Sequence, residues 1–149
     1  MNSIHLSLGA VGLLAAAGLA TRRGSRSQAV RDQAVIVDAV RQSLSPQLVN
    51  TKKCHPRGVS PQECHCYHAA EAVYHLAGGK GSGLVPVSGK LRDGTHWWLE
   101  DRDTGSVVDP TSSQLPEGYR YDQGTRRGFL TAQPSQRAQV VIQRAQTHL

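Results

Sequence analysis

Two β-rich runs joined by one turn constrain this chain more than any other feature. Thr95-His96-Trp97-Trp98-Leu99-Glu100 and Ser106-Val107-Val108-Asp109 flank Asp103-Thr104-Gly105, a strong hairpin signal. With a tight turn near Asp103-Thr104, His96 falls opposite about Thr111 and Asp109 opposite about Trp98. His96 and Asp109 then lie on one face as diagonal neighbours, within reach of each other's side chains. A one-residue change in loop length puts them on opposite faces unless a bulge corrects it. The same alternation separates Trp97 from Trp98. One goes to the core, and the other is free to line a cleft beside His96.

A second stretch supplies a partner for that histidine. In Cys64-His65-Cys66-Tyr67-His68-Ala69-Ala70-Glu71-Ala72-Val73-Tyr74, a thiol stands at the start of a short apolar helix. A helix N-terminus carries partial positive charge and unpaired N–H groups. There the thiolate, which is the nucleophile, is favoured. The expected helix runs from about Cys66 to Leu76 and stops at Gly78-Gly79. Cys66, Ala70, Val73 and Ala77 share one face, and His68, Glu71 and His75 an outer one. Exposure is the expectation for His68 and His75, and solvation or ion pairing for Glu71 and Glu100. Cysteine, histidine and carboxylate thus follow in the order Cys66, His96, Asp109. In such a triad, Asp109 orients His96, and His96 takes the proton of Cys66.

The flanking segments read as scaffold. Val30, Ala34, Val37, Val40 and Leu44 make one apolar face of a helix over 28–44, opposite Arg31, Asp32, Asp38 and Arg41, and Ser45-Pro46 ends it. Residues 50–62 are a loop. Leu84 to Leu91 reads as an edge strand, because Pro86 cannot donate to a ladder. Residues 116–128 form a long polar loop with Tyr119, Tyr121, Arg126 and Arg127, read as ordinary surface unless it forms a lid or rim. A last helix runs from about Pro134, which suits its first position, to Gln146, with Ala138, Val141, Ile142 and Ala145 facing inward.

The 149 residues suffice for one domain. Aromatic residues are only 5% of the chain, so the core must come from Ala, Val and Leu. The net charge of +6 suits anionic partners in general. The basic residues are scattered, however, and mark no specific nucleic-acid site. Ile4 to Ala20 is apolar and is followed by Arg22, Arg23 and Arg26. It reads as an extension, as a marginal membrane span that leaves the domain in the cytoplasm, or as a signal peptide. Residues 1–27 are therefore set apart from a single domain over 28–149, and membrane contact is expected only through 4–20. Three cysteines cannot all pair, which favours a reducing, cytoplasmic setting.

The hairpin and nucleophile helix together resemble the transglutaminase-like, papain-fold cysteine enzymes. The motifs are Cys66-Tyr67, His96-Trp97-Trp98-Leu99-Glu100 and Val108-Asp109-Pro110-Thr111. From about Leu44 onward the chain also resembles a family of small uncharacterised phage and bacterial proteins. The signatures there are Leu44-Ser45-Pro46, His65-Cys66-Tyr67, Tyr74-His75-Leu76-Ala77-Gly78-Gly79, Gly128-Phe129-Leu130-Thr131 and Pro134-Ser135. In those look-alike sequences the position of Cys64 tends to be glycine, so Cys64 reads as incidental, and Cys54 as isolated in its loop. The resemblance implies an α+β fold, with the nucleophile helix packed on a small antiparallel sheet. It also implies Cys66, His96 and Asp109 as the site. The 30-residue interval from Cys66 to His96 implies a trimmed sheet.

The expected activity is a cysteine hydrolase or acyltransferase acting on an amide, isopeptide or related acyl bond, without a cofactor. Protein or peptide is the expected substrate, with a small-molecule amide as the other candidate. The backbone N–H of Cys66 and the side chain of Gln62 are candidate oxyanion donors, and Tyr67, Trp97 and Trp98 candidate cleft residues. Two rival classes stand beside this. Cys54, His55, Cys64, His65, Cys66 and His68 place six potential ligands in fifteen residues. A zinc-bearing module for nucleic acid or protein would use Cys54, Cys64, Cys66 and His68. The other rival is a catalytically silent papain-fold protein that only binds a partner.

Overall fold

The structure is a computed structural model and describes residues 32–149. The apolar run at 4–20 and the arginines after it lie outside the described residues. Gln33–Leu149 form one compact unit. No helix among the described residues is long and apolar enough to cross a membrane. The architecture is α+β: three α-helices and a four-stranded antiparallel sheet.

Helix α1 covers 32–43 and buries Val37, Ala39 and Val40. Helix α2 is Cys66–Leu76, and α3 is Gln136–Ala145. The strands are β1 (Leu84–Leu91), β2 (Gly94–Asp101), β3 (Val107–Val108) and β4 (Thr125–Arg126), in the order β3-β2-β1-β4. Pro86 does not keep β1 at the sheet edge. Its carbonyl accepts from Arg127 N at 2.8 Å, on the side where β4 pairs only with Val87 and Ser88. The missing N–H therefore faces a strand too short to require it.

The β2–β3 hairpin has the expected register. Leu99 pairs with Val108 and Glu100 with Val107, and this line of pairing carries Asp109 to the level of Trp98. Asp101 closes the turn. Its Oδ1 accepts from the N–H groups of Asp103 (3.0 Å) and Thr104 (2.8 Å), as an aspartate at a turn does.

The core lies between the sheet and the helices. It includes Val40, Ala69, Ala72, Val73, Leu84, Leu99 and Val141, with Leu and Val around small Ala residues. Every residue of α2 from His68 to Val73 is buried, so the helix has no outer face there. Glu71 is fully buried, and its carboxylate accepts from Ser135 N (3.0 Å) and Ser135 Oγ (2.6 Å). Ser135, not Pro134, begins α3: it is the N-cap, and its Oγ accepts from Ala138 N at 3.3 Å. A buried carboxylate at this helix start meets the positive end of the helix dipole.

The opposite face of the sheet is covered by the 116–128 loop. Trp98 is fully buried there, edge-on to Tyr119 and Tyr121. Gly89 and Gly124 flank the indole so closely that a Cβ on either would collide with it. The loop is therefore a wall of the core and not ordinary surface.

Candidate active site

The sequence around Cys66 places its thiol on the first turn of α2. His65, the N-cap residue, gives no side-chain cap, so the N–H groups of the first turn stay available to a ligand. Cys66 is half-buried and donates to the Thr95 carbonyl oxygen at 3.7 Å, which brings α2 to the beginning of β2. Cys66 is the free cysteine among the described residues.

His96 follows Thr95 and is fully buried. Its Nε2 donates to Asp109 Oδ2 at 2.7 Å. The ring lies on the Trp98 face of the sheet, stacked beside the indole with centroids 5.9 Å apart and Tyr119 edge-on to it at 5.7 Å. Cys66 therefore meets His96 at the strand end and not across the helix-facing side. The other ring nitrogen, Nδ1, is buried without a hydrogen bond. Burial works against the charged ring. The bond to Asp109 and the proximity of Cys66 outweigh it and carry the His96 pKa up to about 9. The charged ring is thus favoured at neutral pH.

Asp109 is held by four hydrogen bonds. Oδ2 accepts from His96 and from Tyr121 Oη (2.8 Å), and Oδ1 from Thr111 N (2.8 Å) and Thr111 Oγ1 (3.1 Å). Burial raises its pKa, but these donors and the neighbouring charge of His96 bring it below the usual value. Its backbone is clamped as well. Arg41 of α1 donates from Nη2 to the Asp109 carbonyl (3.1 Å) and from Nε to the Pro110 carbonyl (3.0 Å). By sequence alone Arg41 is a polar-face residue of a helix and Tyr121 a loop residue. Only the fold brings them to Asp109: Arg41 lies 68 residues away along the chain, and Tyr121, 12 residues away, is carried there by the irregular 116–128 loop.

The other candidate site residues divide. Tyr67 and Trp97 line a cavity of about 470 Å3 together with Cys66. Trp98 does not, because it is sealed into the opposite face. The Gln62 side-chain oxygen accepts from Ser113 Oγ at 2.6 Å, and no hydrogen bond joins Gln62 to Cys66 or His96. Glu100 is ion-paired with Arg126 at 3.4 Å.

The zinc arrangement is overturned. Cys54 and Cys64 form a disulfide, so two of the four proposed ligands have no thiolate to offer. Among the described residues no group of three or more His, Cys, Asp or Glu is placed to hold a metal ion. Nor is Cys64 incidental or Cys54 isolated, and with two thiols paired the odd count no longer argues for a reducing compartment. Cys64 takes φ +66°, a conformation that favours glycine.

His68 is also corrected. It is buried and shares a 2.7 Å hydrogen bond between its Nε2 and His65 Nδ1, while His75 is half-buried. Burial first, and then the charges of His65 and Arg137, lower the His68 pKa to about 3. Burial also lowers that of His65. Glu63, just before Cys64, is buried too. Its carboxylate accepts from the N–H groups of Arg57, Gly58 and Val59 and so folds the loop ahead of α2.

Comparison with protein-family models, with curated proteins and with solved structures found no match. The functional reading therefore rests on the geometry of this site.

Proposed function

We propose that this chain is a cysteine-dependent hydrolase or acyltransferase on a papain-like, transglutaminase-like plan, with Cys66 as nucleophile. The observation that carries the reading is the buried His96–Asp109 pair with its second ring nitrogen unbonded beside a helix-start thiol. Asp109 accepts only at Nε2, which leaves Nδ1 to exchange a proton with Cys66. In the reaction, Cys66 Sγ bonds to the carbonyl carbon of an amide and the carbonyl π electrons move to oxygen. The Cys66 N–H serves as the donor to that oxyanion. The C–N bond then breaks, and the leaving nitrogen takes its proton from His96 Nδ1. Water or an amine attacks the thioester and returns a proton to His96, and the thiolate leaves.

A brief pulse of limiting iodoacetamide at a pH of about 6.5, below the ordinary thiol pKa, tests this. Peptide mapping is expected to find Cys66 alkylated rapidly in the unreduced protein. His96→Ala is expected to slow the labelling strongly and Asp109→Asn less. Cys66 labelling no faster than that of a model thiol, with neither variant having an effect, would overturn the proposal and leave a binding protein.

A further inference from the structure

The cavity beside Cys66 has a mixed lining that points to its ligand. Trp97, Tyr67 and Leu130 supply apolar surface. Leu130 is 84% exposed, and its N–H donates to Tyr67 Oη at 2.9 Å, so a solvated leucine is held at the rim. Charge comes from Lys53, Arg137 and Asp93. Asp93 is engaged by Arg57 at 3.8 Å, whereas Lys53 and Arg137 form no ion pair among the described residues. His68, which also lines the cavity, is neutral at physiological pH. The lining therefore holds two uncompensated cations. Arg137 stands in the first turn of α3, where a cation opposes the helix dipole. Helix stability gives no reason for an arginine there. The side-chain amide of Gln114 also lines the cavity, and its Nε2 has no partner in the fold.

We infer that this cavity takes the acyl side of an acidic peptide: a substrate whose carboxylate lies between Lys53 and Arg137, whose apolar part lies on Trp97 and Leu130, and whose scissile carbonyl reaches Cys66. The inference rests on the acyl-transfer reading above and adds a substrate class to it. A volume of about 470 Å3 holds a few residues of peptide. Nucleic acid is disfavoured, because two cations in one small cavity do not track a phosphate backbone.

Two measurements separate this inference from the reading it rests on. In the first, the Cys66→Ser protein is titrated with a fluorescein-labelled tetrapeptide rich in glutamate and with its glutamine counterpart. The glutamate peptide is expected to bind about tenfold tighter. Lys53→Gln with Arg137→Gln is expected to erase that preference. Lys80→Gln, which removes an exposed cation outside the cavity, is expected to leave it intact. Equal affinities, a preference that survives the double variant, or tighter binding of a short thymidine oligonucleotide would each overturn the inference. In the second, chloroacetyl versions of the two peptides are offered to the wild-type chain, with iodoacetamide as the uncharged control. Rapid iodoacetamide labelling without discrimination between the peptides keeps the cysteine chemistry and overturns the acidic substrate. Discrimination in binding with slow labelling by every reagent retains an acidic-peptide cavity but overturns its acyl-transfer role.

Discussion

Two buried histidine sites in this molecule are shifted in opposite directions. His96 is sealed from solvent and is driven to a pKa of about 9, whereas His68 is nearly as buried and falls to about 3. Each ring makes one 2.7 Å hydrogen bond from Nε2. The difference lies in the partner. Asp109 is a carboxylate kept ionised by four donors, and it stabilises a positive ring. His65 is a second imidazole, and it can be satisfied only while at least one of the pair stays neutral. Burial by itself lowers both histidines, and the charge across the hydrogen bond decides which one recovers. A short histidine contact is therefore no evidence of a charged site until its partner is known.

The largest test of that contrast removes His96 itself. His96→Ala is expected to slow iodoacetamide labelling of Cys66 about a hundredfold at neutral pH, and Asp109→Asn about tenfold, in line with the size of positioned acid–base effects. His68→Leu is expected to leave the rate within about twofold of wild type, since His68 belongs to the other pair. Stopped labelling followed by mass spectrometry ranks the three. An effect of His68→Leu as large as that of His96→Ala would break the contrast.

The pH dependence of stability comes next. The raised pKa of His96 contributes stability that is fully present below about 6.5 and is lost as pH rises through about 9. The lowered pKa of His68 acts in the other direction. Its neutral form is favoured by folding, so stability is full above about 6.5 and is lost as pH falls toward about 3. The alkaline limb is worth on the order of 3 kcal/mol and the acid limb on the order of 5 kcal/mol. Urea melts across this range should give a maximum near neutrality. Asp109→Asn should flatten the alkaline limb and spare the acid one. A curve whose alkaline limb survives Asp109→Asn would show that Asp109 does not hold the charge.

Smaller effects sharpen the contrast. His68→Leu leaves His65 Nδ1 without its bond and is expected to cost about 1–2 kcal/mol in the same melts. Tyr121→Phe removes one of the two donors to Asp109 Oδ2. It is expected to cost about 1 kcal/mol and to slow Cys66 labelling less than Asp109→Asn does. A Tyr121→Phe rate as low as that of Asp109→Asn would make the hydroxyl, and not the carboxylate, the decisive partner.

The hairpin and α2 were legible because their determinants are local. Alternation, the Asp103-Thr104-Gly105 turn and Gly78-Gly79 all act within a few residues. Even the His96–Asp109 pair follows from register alone. The errors share one cause. His68 and Glu71 look solvent-facing on a helical projection, but the cover comes from α3 and its N-cap, more than sixty residues later. Arg41 is illegible for the same reason, at 68 residues from Asp109, whereas Tyr121 is only 12 residues away but sits in a loop with no periodicity to place it. The disulfide is not legible because three cysteines cannot all pair, and which two do depends on a loop that Glu63 folds through backbone donors.

The left-handed backbone at Cys64 has an evolutionary consequence. The chain must turn sharply just before the nucleophile helix, and glycine and cysteine hold that turn at different costs. Glycine adopts it without steric cost and adds no tether. Cysteine accepts strain of about 1–3 kcal/mol and offsets it with a crosslink to Cys54 worth roughly 3 kcal/mol for a loop this short. Positions 54 and 64 are thus expected to change together. A lineage that keeps glycine at 64 has no use for cysteine at 54, and one that acquires the second cysteine without the first carries the strain with nothing to set against it.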